Sequence, residues 1–377
     1  MTQAVPRLSY DHISVNALKV VSRLADAGYQ AYLVGGCVRD LMLEKFPKDF
    51  DVATDAHPEE VHALFRNSRM IGKRFRIVHV RFGQEIVEVA TFRAQHSAST
   101  HEENYSEGGM ILSDNVFGSF EEDVYRRDFT MNALYYDPES DSLIDLVGGV
   151  ADVEARRIRL IGDPENRYRE DPVRMLRAIR FRANLGFDFD PATGQPLRQL
   201  GFLLQDIPAA RLFEEVLKLF MSGYGLRSYE LMMEFGLFGW MFPDTRRTMD
   251  DFPGDKLVRS ALASTDKRIA TDLPVTPAFI FAAFLWYPFV EEKQNLEKEG
   301  MSASTASHEA SGNVIARQQL FTSIPKRFTG MMRDMWNLQF RLPIRHGRRA
   351  ENLSSNRRFR AAYDFLLLRA ESGENLN

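Results

Sequence analysis

Apolar and polar positions alternate with two different periods along this chain. Residues 12 to 27 repeat apolar positions at helical spacing and stop at Gly28, which predicts a helix. Ala31 to Val34 is a short apolar run of the length of a buried strand. Gly35 and Gly36 break it, and helical periodicity resumes near Cys37. Asp49-Phe50-Asp51 then opens a second strand, and His57-Pro58 starts a helix through Phe65. Ile77 to Phe82 and Ile86 to Phe92 read as two strands of a hairpin turning at Gly83-Gln84. Together these elements predict an α+β head with a small mixed sheet and helices on one side.

Beyond the head the helical period prevails. Arg169 to Leu185 reads as one helix that tolerates Pro172 near its start. Met175, Leu176 and Ile179 form its apolar arc, with Asp171, Arg174 and Arg177 on the other side at spacings of three. Further helices are predicted over 209–221, 226–235, 277–287, 329–339 and 357–368. The polar stretches 94–110 and 292–312 show no period and read as a mobile loop and a flexible insertion. The expected division is a head over 1–155, an all-α neck over 156–225, an all-α body over 226–340 and a basic helical segment over 341–377.

Composition narrows the class. At 377 residues and 43.2 kDa the chain is too long for a single compact domain. No run approaches the length of a membrane span, and residues 1–12 lack the apolar centre of a signal peptide. The single cysteine, Cys37, excludes an intrachain disulfide and suits a reducing cytoplasm. Net charge is −4, yet from Lys326 to Arg360 there are ten Lys/Arg, including Arg345, Arg348, Arg349, Arg357 and Arg358, against Asp334 and Glu351. Such a run is an expected phosphate-binding surface.

The chemistry begins at the strand ends. Strand residues two apart share a face, so Asp49 and Asp51 project together while Phe50 goes inward. Adjacent carboxylates repel, and an oxygen-only pair suits Mg²⁺. A strand entering a helix through Gly35-Gly36 leaves backbone N–H groups that can hold phosphate. Each feature alone is ordinary, since Gly-Gly commonly makes a turn and Asp-x-Asp is commonly solvated. Glu88 points to the same side of its strand as Ile86 and Ala90, opposite Val87 and Val89. Val147-Gly148-Gly149 reads as a turn, Cys37 as a small buried residue, and Asp128 on its own as a helix cap ahead of an apolar helical segment. His96 and His101 have no partner at ligand spacing.

Three stretches in order resemble the polymerase-β nucleotidyltransferase superfamily, in the class that holds bacterial poly(A) polymerases and CCA-adding enzymes. They are Gly35-Gly36 through Val38-Arg39-Asp40 to Asp49-x-Asp51, then Arg126-Arg127-Asp128-Phe129-Thr130-x-Asn132-Ala133, then Glu170-Asp171-x-x-Arg174-x-x-Arg177. The resemblance implies that Asp49 and Asp51 hold two Mg²⁺ ions, with Mn²⁺ as a substitute, and that Glu88 completes the site. It implies that Asp128 holds the ribose or supports the metal site. Gly35, Gly36, Arg39 and Arg127 would then meet the triphosphate of ATP, and Asp171, Arg174 and Arg177 the base, in a neck that also binds RNA. Cytosine presents the same amine and ring acceptor as adenine, so these residues do not separate an adder of A from an adder of C and A.

The stretch from Ile71 to Val80, IGKRFRIVHV, resembles the poly(A) polymerase version of this class, as do residues 208–225, 275–288 and 359–370. The likeness therefore covers nearly the whole chain. Relatives often carry an extra N-terminal segment and an Arg/Lys-rich tail that this sequence does not show. The implied function is template-independent addition of AMP from ATP to RNA 3′ ends by a cytoplasmic monomer. CCA addition to tRNA is the alternative. A non-catalytic RNA-binding protein would not need Asp49, Asp51 and Asp128 intact, and the helical half has no His-Asp doublet for phosphohydrolase chemistry.

Overall fold

Ser14 sets the first helix, α1 (Val15–Asp26), by accepting the N–H groups of Asn16 and Ala17, and Ala17, Val20, Val21 and Leu24 form its buried stripe. The computed structural model describes residues 8, 10–72, 76–94, 116–343, 353–374 and 376. These residues divide into two compact units, one of residues 1–174 with 186–196 and one of 175–185 with 197–377. The first unit therefore runs past residue 155, the expected end of the head.

A seven-stranded mixed sheet organises the first unit. Its strands are β1 (Ala31–Val34), β2 (Phe50–Thr54), β3 (Ser68–Ile71), β4 (Ile77–Phe82), β5 (Glu85–Thr91), β6 (Tyr135–Asp137) and β7 (Ser142–Ile144), in the order β3-β4-β5-β2-β1-β6-β7. Only β2 and β5 run parallel, and the other neighbours are antiparallel. One face buries Leu33, Val52, Val78, Val80, Val87 and Val89. Helices α1 and α3 (Pro58–Leu64) pack against β1, β2, β4 and β5. On the opposite face Tyr32, Val34, Ala53, Phe92 and Tyr135 gather under Phe120 and Val124 of helix α4 (Phe120–Arg126).

The edge strand β3 was not expected. Its residues are mostly exposed, so it shows no alternation of burial for a pattern to report. Nor is residue 129 onward the expected apolar helix. Thr130–Asn132 makes a single tight turn and the chain enters β6. Tyr135 and Tyr136 are buried because a strand, not a helix, carries them into the core. The expected loop over 94–110 with His96 and His101 lies outside the described residues, except for Ala94.

After α5 (Gly149–Glu154), the strand β8 (Arg157–Ile158) pairs with β9 (Asp188–Phe189). The one long helix expected from Arg169 to Leu185 is two. Helix α6 (Pro164–Glu170) ends at Asp171, whose φ of −148° and ψ of 94° are extended, and α7 (Val173–Leu185) follows. The proline ring at 172 clashes with a helical predecessor and forces this break.

The second unit is helical among the described residues. Trp286, Trp336, Phe242, Phe281 and Phe284 are buried in it, while Trp240 is 36% exposed. The expected insertion over 292–312 is instead the end of helix Trp286–Lys298 and the start of helix Ala303–Gln319. Ser302 caps the latter, and the buried face of its first turns is built from Ala306, Ser307, Ala310 and Ser311. Small residues do not register as an apolar stripe, so composition mimicked a linker. The last helix, Phe359–Glu371, is anchored by Arg369, whose guanidinium carbon lies 4.2 Å from the Trp286 ring centre and which pairs with Glu374.

Candidate active site

The strand register brings the acidic residues together. Val34, the last residue of β1, lies opposite Asp51 on β2, and Asp51 lies opposite Glu88 on β5. Continuing sideways, Glu88 faces His79, His79 faces Arg69, and on the other flank Val34 faces Tyr135. One lateral row, Arg69-His79-Glu88-Asp51-Val34-Tyr135, thus crosses the sheet on a single face. Asp49, Asp51 and Glu88 are exposed, while Phe50 between the two aspartates is buried.

This cluster is electrostatically tense. Packing around Asp51, with the neighbouring Glu88 and Asp49 carboxylates, pushes its carboxyl up to about 6, against the pull of Arg127. A carboxyl raised by burial and by neighbouring like charges calls for a cation. Among the described residues, no three acidic, His or Cys side chains converge as a closed metal cage. An open, oxygen-only pair fits Mg²⁺, which keeps several positions for water and substrate phosphate.

Beside the carboxylates, β1 turns into the seven-residue helix α2 (Gly36–Met42). Gly35 has φ of +81°, a backbone that side-chain-bearing residues rarely adopt, although a Cβ there would meet nothing closer than 3.6 Å. Its N–H donates to the Leu134 carbonyl, so the donors left without a helical partner begin at Gly36. Cys37 is buried and burial pushes its thiol up to about 12, which leaves it unreactive.

Arg39 is engaged by partners within the protein. It is 7% exposed, and its guanidinium donates to Asp40 and, at 2.7 Å, to Asn132 Oδ1. It therefore clamps α2 to the second motif. Both guanidinium groups flank the turn, Arg39 Nη2 3.6 Å from where a Gly36 Cβ would stand and Arg127 Nη1 3.8 Å from where a Gly35 Cβ would stand. The orientation of Arg127 comes from Asp123, which sequence reading passed over. Asp123 is 1% exposed and pairs with Arg126 at 2.7 Å and Arg127 at 2.9 Å. It also accepts from the Tyr135 hydroxyl and the Arg93 N–H. Burial works against its charge, but Arg127, Arg126 and Tyr135 hold the carboxyl well below the usual carboxylate range. Its i,i+3 and i,i+4 spacing to Arg126 and Arg127 was the available signal.

Asp128 is half-buried and accepts the N–H of Phe129 at 2.8 Å. It caps no helix, since α4 has already ended and the next turn starts from Phe129. Its carbonyl accepts from Ile161, which fastens residues 159–161 to this motif together with the Thr130 N–H to Arg159 bond. The glycines at 148 and 149, expected as a turn, instead open α5, with Gly148 as its cap, and the Asp145 carboxylate accepts the N–H groups of residues 147 to 150 and leaves none of these four for phosphate.

The third motif sits at the α6–α7 junction. Asp171 Oδ1 accepts the Val173 N–H at 3.3 Å. Arg174 is 9% exposed, and its Nη1 donates to the Arg167 carbonyl and to Glu170. Arg167, also missed, donates to Glu170 and to the carbonyls of Arg126 and Arg127. It thus ties the third motif to the second. Arg177 belongs to the second unit, 5.4 Å from the Phe181 ring centre. Lys73, Arg74 and Phe75 of the Ile71–Val80 stretch, and Arg345, Arg348 and Arg349, lie outside the described residues. Arg357 is exposed and Arg358 half-buried.

Comparison with known proteins places this geometry among relatives. Residues 31–159 match the family model of the poly A polymerase head domain. Residues 186–249 match one described as "Probable RNA and SrmB- binding site of polymerase A", and 299–377 one for the polymerase A arginine-rich C-terminus. The chain is 50% identical to poly(A) polymerase I of Escherichia coli O157:H7 over 375 residues, 98% of this chain and 81% of that protein. It is 36% identical to the CCA-adding enzyme of Lactobacillus helveticus over 246 residues, 65% of this chain and 57% of that enzyme. Among solved structures, the Bacillus stearothermophilus CCA-adding enzyme in complex with CTP is similar, with a TM-score of 0.63 and 28% identity. The match covers 96% of this chain and 78% of that one.

Proposed function

We infer the reaction of this chain from its kinship: it belongs to the family of bacterial poly(A) polymerases, to which the CCA-adding enzymes are more distant relatives. It adds AMP from ATP to RNA 3′ ends without a template. The RNA 3′-hydroxyl attacks the α-phosphorus of ATP, the new O–P bond forms as the bond to the bridging oxygen breaks, and pyrophosphate leaves with the hydroxyl proton lost. The observation that carries the reading is the register of Val34, Asp51 and Glu88, which sets an acidic cluster beside the Gly35–Gly36 turn.

Asp49 and Asp51 would hold Mg²⁺, or Mn²⁺ in its stead, which when bound activates the attacking oxygen and stabilises the leaving one. Glu88 lines the same cluster. Arg127, kept charged and aimed by Asp123, meets the phosphates, and Gly36 supplies backbone donors beside it. Asp128 serves the ribose, and Arg39 acts on the site by holding Asn132. Asp171 and Arg174 read the base edge, with Arg177 next along the motif. Asp171→Ala is expected to weaken discrimination against GTP and UTP by about 1–3 kcal/mol, the cost of an unpaired buried polar group. Single-nucleotide incorporation kinetics with each NTP measure it, and an unchanged preference would leave Asp171 only its role at the start of α7.

Product analysis tests the function itself. The full chain is incubated with each NTP and two RNAs, one a generic 3′ end and one a tRNA lacking its CCA. Long tracts of A alone on either RNA are expected, with no membrane-spanning helix among the described residues to complicate handling. An enzyme that stops after C, C and A on the tRNA and ignores the generic end would be a CCA adder.

A further inference from the structure

In the lateral row through the acidic pair, the group next to Glu88 has no assigned task. His79 lies on β4 directly opposite Glu88, with its Nε2 3.2 Å from Glu88 Oε1. The His79 side chain is 21% exposed and that of Glu88 47%. Nε2 itself is buried and has no hydrogen bond of good geometry to any described group. A buried ring nitrogen without a partner is costly, and Glu88 is the carboxylate within its reach. Because Nε2 is out of contact with solvent, it does not touch substrate.

Glu88 has a matching need. It is a long side chain that faces the Asp51 carboxylate on one flank, so repulsion would turn it outward unless something holds it. The resulting tautomer question has one answer: an Nε2–H can donate to Glu88, whereas an unprotonated Nε2 would face a carboxylate lone pair. We propose that His79 is a positioning residue that anchors Glu88 Oε1 and thereby keeps the other oxygen of Glu88 turned toward Asp51. The pairing is of the kind in which an outer partner orients a carboxylate at a metal site. It rests on the reading of Glu88 as a member of that site.

The test uses the full chain and Mn²⁺ alone, with binding followed by electron paramagnetic resonance and folding by thermal melts. His79→Leu removes the donor at similar volume and is expected to weaken Mn²⁺ binding about tenfold. It should also lower kcat at limiting Mg²⁺ while the KM for RNA stays at the parent value. His79→Gln, whose amide reaches to where Nε2 stands, should restore both to within about threefold of the parent. Glu88→Gln should weaken Mn²⁺ binding as well, and adding His79→Leu to it should change nothing further, because contacting residues are not additive. Full Mn²⁺ affinity in His79→Leu beside a weakened Glu88→Gln would overturn the role of His79. Parent affinity in Glu88→Gln would instead overturn the reading of Glu88, and the proposal with it. Should His79→Leu melt far below the parent, His79→Asn, whose amide falls short of Glu88, takes its place in the same comparison.

Discussion

Asp51→Ala is expected to abolish AMP addition, a loss of at least about a thousandfold, without harm to the fold. The first half follows from position. Asp51 is the carboxylate at the centre of the row, with Val34 and the glycine turn on one side and Glu88 on the other. The second half follows from exposure and charge. Its side chain is exposed, so its removal opens no cavity. Its carboxyl is pushed up to about 6 by packing, Glu88 and Asp49. A carboxyl raised above its unfolded value binds more protons folded than unfolded as pH climbs from about 4 to 6, so its ionisation lowers stability across that window. In EDTA at pH 8 the alanine variant should therefore melt no lower than the parent. Turnover within tenfold of the parent, by incorporation of labelled AMP into RNA, would remove Asp51 from the reaction, and a large drop in melting temperature would mean that it holds the fold.

Much of this site could be read before any coordinates because strand parity and glycine turns are local properties. The side-chain alternation of β2 follows from Asp49-Phe50-Asp51 itself, and the Gly35 turn from two adjacent glycines. Glu88 required more. Its facing the same side as Ile86 and Ala90 was legible, but its place opposite Asp51 depends on β5 pairing in parallel with β2, a long-range fact. The role of His79 was hidden for the same reason, since β4 must pair with β5 before His79 faces Glu88. Arg39 shows a different limit. Its residue type and motif suggested a phosphate ligand, while the Asn132 carboxamide that occupies it is 93 residues away in sequence. The break at Asp171 was legible in principle, because Pro172 constrains its predecessor. The helical period on both sides concealed it. In the second unit, the first turns of the helix over Ala303–Gln319 pack through alanine and serine, and hydrophobic patterning is blind to such a face.

Asp123→Ala is expected to cost about 3–5 kcal/mol of stability and most of the activity, although Asp123 touches no reacting atom. Removing this carboxylate leaves the Arg127 guanidinium, whose side chain is 20% exposed, without its ion pair. Breaking a buried pair on one side is far costlier than replacing both partners, because the surviving charge stays desolvated. Arg126, the Tyr135 hydroxyl and the Arg93 N–H lose an acceptor at the same time. Asp123→Asn keeps the shape and one acceptor and should cost less. The pH dependence identifies the mechanism. With its folded pKa held below the unfolded value of about 3.9, Asp123 stabilises the parent above that value and loses its contribution as pH falls through the lower one. Urea unfolding followed from pH 5 down to pH 2 should thus show a decline toward acid in the parent, beginning below about pH 4, that is shallower in Asp123→Asn. If Asp123→Ala unfolds within 1 kcal/mol of the parent, the charge on Arg127 is satisfied elsewhere. Loss of activity at intact stability would instead mean that Asp123 serves chiefly to aim Arg127 at the Gly35 turn.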